Sequence, residues 1–156
     1  MPRTDTLFVF KTKTPEEREQ CFAVRLKVFV EEQKVPPEYE IDEYDKTALH
    51  FLARHGEKPV GAARVVFKDE GKTAKIGRVA VLKQARGLGV GLALMRAIET
   101  DAEVKATAKF FLESQTHAIP FYERLGYAAY GDEYLDCNIP HRFMSKENPS
   151  TRTSAA

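Results

Sequence analysis

The run Ile76-Gly77-Arg78-Val79-Ala80-Val81-Leu82 is followed by Gln84-Ala85-Arg86-Gly87-Leu88-Gly89-Val90-Gly91, after which Gly91, Leu94, Met95, Ile98 and Ala102 recur at helical spacing. The first part is short, β-branched and nearly all apolar, so it reads as a buried strand. The last part gives one apolar face of an amphipathic helix. Between them the glycines allow a sharp turn whose backbone N–H groups can approach an anion, and the helix start adds partial positive charge. A diphosphate suits such a cradle. A P-loop would close the turn with Gly-Lys-Ser/Thr, but Leu92 follows Gly91, so neither the lysine nor the magnesium-binding hydroxyl is present. A dinucleotide site would need G-x-G-x-x-G in the first βα unit, whereas this chain carries G-x-G-x-G in mid-sequence.

What remains is Arg86-x-x-Gly89-x-Gly91, which resembles the acetyl-CoA pyrophosphate loop of the GNAT superfamily of N-acetyltransferases. A second motif lies downstream. Phe110–Ser114 reads as a strand, and Gln115-Thr116-His117-Ala118-Ile119-Pro120-Phe121-Tyr122-Glu123-Arg124-Leu125-Gly126-Tyr127 resembles that superfamily's N-x-x-A-x-x-(L/F)-Y-x-K-x-G-F signature. Gln115 stands in the usual Asn place and Tyr127 in the usual Phe place. Val24–Pro36, Glu40–Asp45, His50 and Ile139–Met144 are similar to the ElaA-like and YjcF-like subgroup, so the resemblance covers roughly residues 7–144.

The resemblance implies an α/β fold, a GNAT-like mixed and largely antiparallel sheet flanked by helices and splayed at the acetyl-CoA site. It also implies direct transfer of acetyl from acetyl-CoA to a primary amine in a ternary complex, with no metal. Main-chain groups of Val79, Ala80 and Val81 would pair with the pantetheine arm. Arg86, Gly87, Leu88, Gly89, Val90 and Gly91 would hold the diphosphate. Gln115 would bond pantetheine amides, or cap the helix start. Tyr122 matches the tyrosine that protonates the departing thiolate. Neighbours on a helix point about 100° apart, so Phe121 is expected to fill the core and Tyr122 to face the cleft.

The general base is less determined. Glu113, Glu31, Glu32, Asp42, His50 and His141 are all candidates, and His141 is preferred because its unperturbed pKa lies near working pH. Cys137 and His141, if both on one strand, would lie roughly 13 Å apart along it, which disfavours a Cys–His nucleophile pair.

The 156 residues, 43% hydrophobic, suit one domain, read as residues 1–144 with a flexible tail over 145–156. Lys+Arg 24 against Asp+Glu 23 argues against a nucleic-acid binder. Residues 31–45 nevertheless carry net −6 and residues 68–86 net +4. The acidic segment, with Glu31, Asp42 and Glu43, is therefore expected to attract a cationic acceptor, and the basic one the anionic cofactor. Two cysteines without metal or disulfide spacing, and no apolar leader or span, point to a cytoplasmic setting. The expected partner is a small-molecule or peptide amine, with no nucleic acid or membrane; a homodimer is left open. Two rivals also stay open: a non-catalytic acyl-CoA-binding or regulatory module, and an amino-sugar (phosphate) N-acetyltransferase.

Overall fold

A computed structural model of the chain describes residues 6–149. These fall into two compact units, the first holding residues up to 66 and 78–101, the second 67–77 and 102 onward. Among the described residues, seven strands and five α-helices make a mixed α/β fold. The strands are β1 (Leu7–Lys11), β2 (Leu49–His55), β3 (Lys58–Lys68), β4 (Thr73–Val81), β5 (Lys109–Gln115), β6 (Ala128–Asp136) and β7 (Ile139–Glu147). The helices are α1 (Pro15–Arg25), α2 (Pro37–Glu40), α3 (Val90–Thr100), α4 (Ala102–Lys105) and α5 (Ile119–Glu123). None of the helices among the described residues is long and apolar enough to cross a membrane.

In the first unit β1 and β3 both run antiparallel to β2, and Leu82 N–H donates to Val60 C=O at the end of β4. One sheet face, with Leu52, Ala62, Ala80 and Leu82, packs on α1 and the turn after it through Cys21, Val24 and Val28. The capping box that Thr14 and Glu17 spell at the start of α1 is present: Thr14 Oγ1 accepts from Glu17 N–H, and Glu17 Oε1 accepts from Thr14 N–H. Helical spacing of the apolar residues puts Phe22, Leu26, Phe29 and Val30 on the inner face, but the buried stripe is Cys21, Val24, Arg25 and Val28. The displacement arises because Arg25 is fully buried against acidic partners. After Arg25 the helix widens into a π-helical turn over Leu26–Glu32.

The opposite face of this unit takes α3, whose Val90, Leu94, Met95 and Ile98 are buried. Ala102, expected on the same stripe, falls in α4 because α3 ends at Thr100. Gly61 on β3 allows the approach: a Cβ there would lie 2.7 Å from Val90 Cγ1 and 3.2 Å from Leu94 Cδ1.

In the second unit β5 pairs in parallel with β4 and antiparallel with β7, which in turn pairs with β6. The β4–β5 register runs from Thr73–Ile76 against Lys109–Leu112 and goes no further, while β5 continues on β7 alone to Gln115 opposite His141. Two residues past that point Arg78 takes a left-handed φ of 51° within the strand, a conformation a non-glycine residue adopts only when its surroundings over-determine it.

Of the expected tail over 145–156, the first residues are placed otherwise. Ser145, Lys146 and Glu147 belong to β7, and Asn148 is buried, its side chain donating to Lys105 C=O (2.9 Å) and Thr107 C=O (2.6 Å). Residues 150–156 lie outside the described residues. Cys137 is not on a strand: with Asn138 it forms the left-handed two-residue turn (φ 49° and 67°) between β6 and β7.

Candidate active site

In the first unit the glycine-rich loop leaves β4 through a single 3₁₀ turn over Lys83–Ala85 and enters α3. Gly87 and Gly89 sit at φ 84° and 81°, with nothing within 4 Å of where a Cβ would stand. Backbone conformation, and not lack of space, therefore selects glycine there. The first helical donation is from Ala93 N–H to Gly89 C=O (3.0 Å), so the amides before it are not used by the helix and face the positive end of its dipole. Leu88 at the tip is 58% exposed.

Arg86 is held away from that cradle. Its Nε donates to Val81 C=O (3.1 Å), and its two Nη atoms form a forked pair with the Glu32 carboxylate at 2.6 and 2.7 Å. Val81, expected to offer its main chain to pantetheine, thus already accepts from a side chain. Ala80 is buried, and Val79 is partly exposed.

The acidic segment is not the open field its composition suggests. Arg25, fully buried, donates through Nε to Glu40 Oε2 (3.0 Å), through Nη1 and Nη2 to Asp45 (2.7 and 3.0 Å) and through Nη2 to Glu40 C=O (2.8 Å). Arg64 bonds Asp42 (2.7 and 3.0 Å) and Asp45 (3.0 Å). Arg78 reaches Glu40 Oε2 (3.2 Å), Asp42 Oδ2 (3.3 Å) and the carbonyls of Tyr39 and Glu40. Burial alone would raise the Asp45 carboxyl, but the bonds from Arg25, the Asp42 amide and Arg64 hold it far below the usual carboxylate range. Of the proposed acceptor residues, Asp42 is therefore neutralised by two guanidiniums. Glu31 pairs with Lys27 one turn earlier (3.3 Å), and Glu43 is exposed at the start of a 3₁₀ turn. Sequence separations of 15 to 39 residues hide the partners of Arg25, Arg64 and Arg78.

His50, a candidate base, is buried at 3% exposure with Nε2 donating to Asp45 C=O (2.9 Å) and Nδ1 left without a hydrogen bond. Burial lowers its pKa, against the raising effect of Asp45. The sign follows directly: the unfolded chain binds a proton that the folded one refuses. Stability is complete above the unfolded value of about 6.5 and declines as pH falls through it toward the folded value. We expect His50→Gln, which keeps the donation to Asp45, to reduce the loss of urea midpoint between pH 7.5 and pH 5. An undiminished loss would assign that pH dependence to other groups.

The second unit carries the remaining candidates. Tyr122 is the more buried of the α5 pair, at 9% exposure, while Phe121 is half-buried; the expected orientation is reversed. The cause is edge-on packing against Tyr127 (6.1 Å) and Phe121 (5.0 Å). Burial pushes its phenol up to about 12. Gln115 precedes a 3₁₀ turn without capping it through its side chain, and its Oε1 accepts from His117 Nε2 (2.7 Å). His141 on β7 donates from Nδ1 to Ile139 C=O (2.7 Å). A neutral ring so bonded leaves Nε2 as its basic nitrogen. The ring stacks on Tyr134 at 5.9 Å and 24°.

Tyr134 is a residue that sequence reasoning misses. Its hydroxyl donates to Glu113 Oε1 (2.6 Å), and Lys75 Nζ lies 2.9 Å from the other carboxylate oxygen. The signal available is Tyr130 and Tyr134 four apart around Gly131-Asp132-Glu133, which reads as a turn or bulge between ring-bearing positions.

The sequence profile of the acetyltransferase (GNAT) domain matches residues 12–148, which run through both units. The chain belongs to the GNAT acetyltransferases. This GNAT chain is 43% identical over 136 residues to the N-acetyltransferase YjcF of Bacillus subtilis, covering 86% of its own length and 96% of that relative. Among solved structures it is similar to ElaA of Escherichia coli, with TM-score 0.80, 27% identity, and coverage of 91% of this chain and 100% of that one. An acyl-CoA N-acyltransferase from Pseudomonas aeruginosa gives TM-score 0.79 at 30% identity, with coverage of 90% and 99%. The GNAT chain is accordingly an acyl-CoA-dependent N-acetyltransferase with a GNAT fold.

Proposed function

We propose that this enzyme transfers acetyl from acetyl-CoA directly to a primary amine, as one cytoplasmic domain. The observation that carries the reading is the pair of left-handed glycines, Gly87 and Gly89, ahead of an α3 start whose amides are unused by the helix. Those amides suit a diphosphate, and neutral N–H donors with the helix dipole are sufficient to hold it. Because Arg86 is committed to Glu32, its part is to fix the loop. Bound acetyl-CoA supplies an acetyl group already activated as a thioester.

The chain's own residues would then manage protons. Tyr122 keeps its proton at ordinary pH and can give it to the leaving sulfur. The amine loses a proton as its nitrogen bonds the acetyl carbon, and His141 Nε2 is suited to take it.

Gly89→Val tests the cradle. Forcing a β-branched residue to a φ of 81° costs roughly 1–3 kcal/mol, so acetyl-CoA affinity should fall roughly 10–100-fold while circular dichroism stays that of the wild type. Unchanged affinity by calorimetry would remove the diphosphate from this loop.

A further inference from the structure

One face of the second unit's strands is lined with rings, of which the proposed acetyl transfer uses only the His141 imidazole. Phe111 and Glu113 on β5, His141 and Phe143 on β7, and Tyr130 and Tyr134 on β6 share it, because Glu113 lies opposite Phe143, and Tyr130 and Tyr134 oppose Phe143 and His141. Phe143 is the hub, with ring centroids 5.7 Å from Phe111, 5.8 Å from Tyr130 and 5.1 Å from Tyr134.

The arrangement depends on an irregularity. Between Tyr130 and Tyr134 the register slips, so that four steps along β6 match two along β7, with Gly131 at φ 76° taking the bend. This bulge draws both tyrosines onto one phenylalanine, the kind of re-aiming for which bulges serve. A cluster made only for packing would be closed, yet Tyr130 is 42% exposed and Tyr134, Phe143 and Phe111 are partly exposed.

The chemistry within the face is selective. The Glu113 carboxylate sits among the rings, bonded by Tyr134 and Lys75. Burial would raise it, but those two bonds and the nearby Lys75 charge hold its carboxyl below the usual range, so it stays ionised. Asp136 adds a second negative charge near Tyr134. Glu113 and Asp136 bring two negative charges beside Lys75, with the Arg142 guanidinium on the Gly131 carbonyl, and ring faces attract both a cation and another ring.

On the N-acetyltransferase reading above, we infer that this face is the acceptor subsite, and that it takes a cationic amine carried on an aromatic ring, with Tyr130, Tyr134 and Phe143 stacking the ring and Glu113 facing the ammonium. A second copy of the chain is the competing occupant. Exposed Asp132 and Glu133 at the bulge of β6 work against strand-to-strand docking.

The test compares 2-phenylethylamine with hexylamine, both cationic, as acceptors for the full-length wild type and Tyr130→Ala. We expect the wild type to prefer 2-phenylethylamine, and Tyr130→Ala to lower the ratio of the two kcat/KM values roughly 3–10-fold, mainly through KM. Equal use of both amines by the wild type, or an unchanged ratio in the variant, would overturn the subsite while leaving N-acetyltransfer intact. Acetylation of neither amine, with acetyl-CoA still bound, would overturn the subsite as well. Failure to bind acetyl-CoA would instead strike the underlying reading. A change of sedimentation mass in Tyr130→Ala, with the ratio unchanged, would assign the face to a second copy.

Discussion

Tyr122→Phe should lower kcat about 10²–10⁴-fold, the usual contribution of a positioned general acid, while acetyl-CoA affinity stays within about twofold of wild type. The phenyl ring preserves the edge-on contacts with Phe121 and Tyr127, so stability should change by less than about 1.5 kcal/mol. That separation matters because Tyr122 is buried, and a larger truncation would confuse lost packing with lost chemistry. Burial that lifts the phenol to about 12 also fixes the pH behaviour: the protonated form persists, so kcat should show no alkaline limb from this group below about pH 10. Steady-state kinetics with calorimetry on the same preparation decide the matter. A kcat within twofold of wild type would make Tyr122 a core residue and nothing more.

Arg25→Met should be the most damaging change to stability. Removing one member of a buried, hydrogen-bonded ion network typically costs about 3–5 kcal/mol, and for a chain of this size that lowers Tm by roughly 6–20 °C. Arg25 makes two bonds to Asp45 and one each to the Glu40 side chain and carbonyl. Arg64 remains on Asp45 and Arg78 on Glu40, so the lower part of that range is expected. Arg25→Lys should rescue little, because an ammonium cannot reproduce the fork. Urea unfolding at pH 7 measures the loss. A change under about 1 kcal/mol would mean that the acids are solvated once the guanidinium is gone. The Asp45 contribution carries its own sign: with its carboxyl held far below the usual range, it is full at neutral pH and is lost as pH falls below about 3.9.

The features legible in the sequence are those set by neighbours along the chain. The Thr14 capping box, the strand into Gly87 and Gly89, and the apolar stripe of α3 each depend on residues within a turn or two. Composition gives the acidic segment its charge but not its counter-charges, because Arg64 and Arg78 reach it from strands 19 to 38 positions away. The partners of Arg25 lie 15 and 20 positions away and are hidden for the same reason. Helical geometry gives the angle between Phe121 and Tyr122 but not which of them turns inward, a choice made by Tyr127. The ring face is hidden because a slip of register in β6 brings Tyr130 and Tyr134 onto Phe143. The strand end at Glu147 is equally hidden, because Asn148 is anchored to Lys105 and Thr107, some forty residues earlier.

Gly61 has a consequence for how this enzyme can change. It lies in the middle of a strand, yet the side chain of the first residue of α3 rests 2.7 Å from where its Cβ would stand. A side chain added there forces Val90 to shift, and Val90 is the first residue after the glycine loop. In a library of all single substitutions scored only for activity, position 61 would therefore be as intolerant as the loop itself. A map of sensitivity would draw the boundary of the active site one layer deeper than its surface.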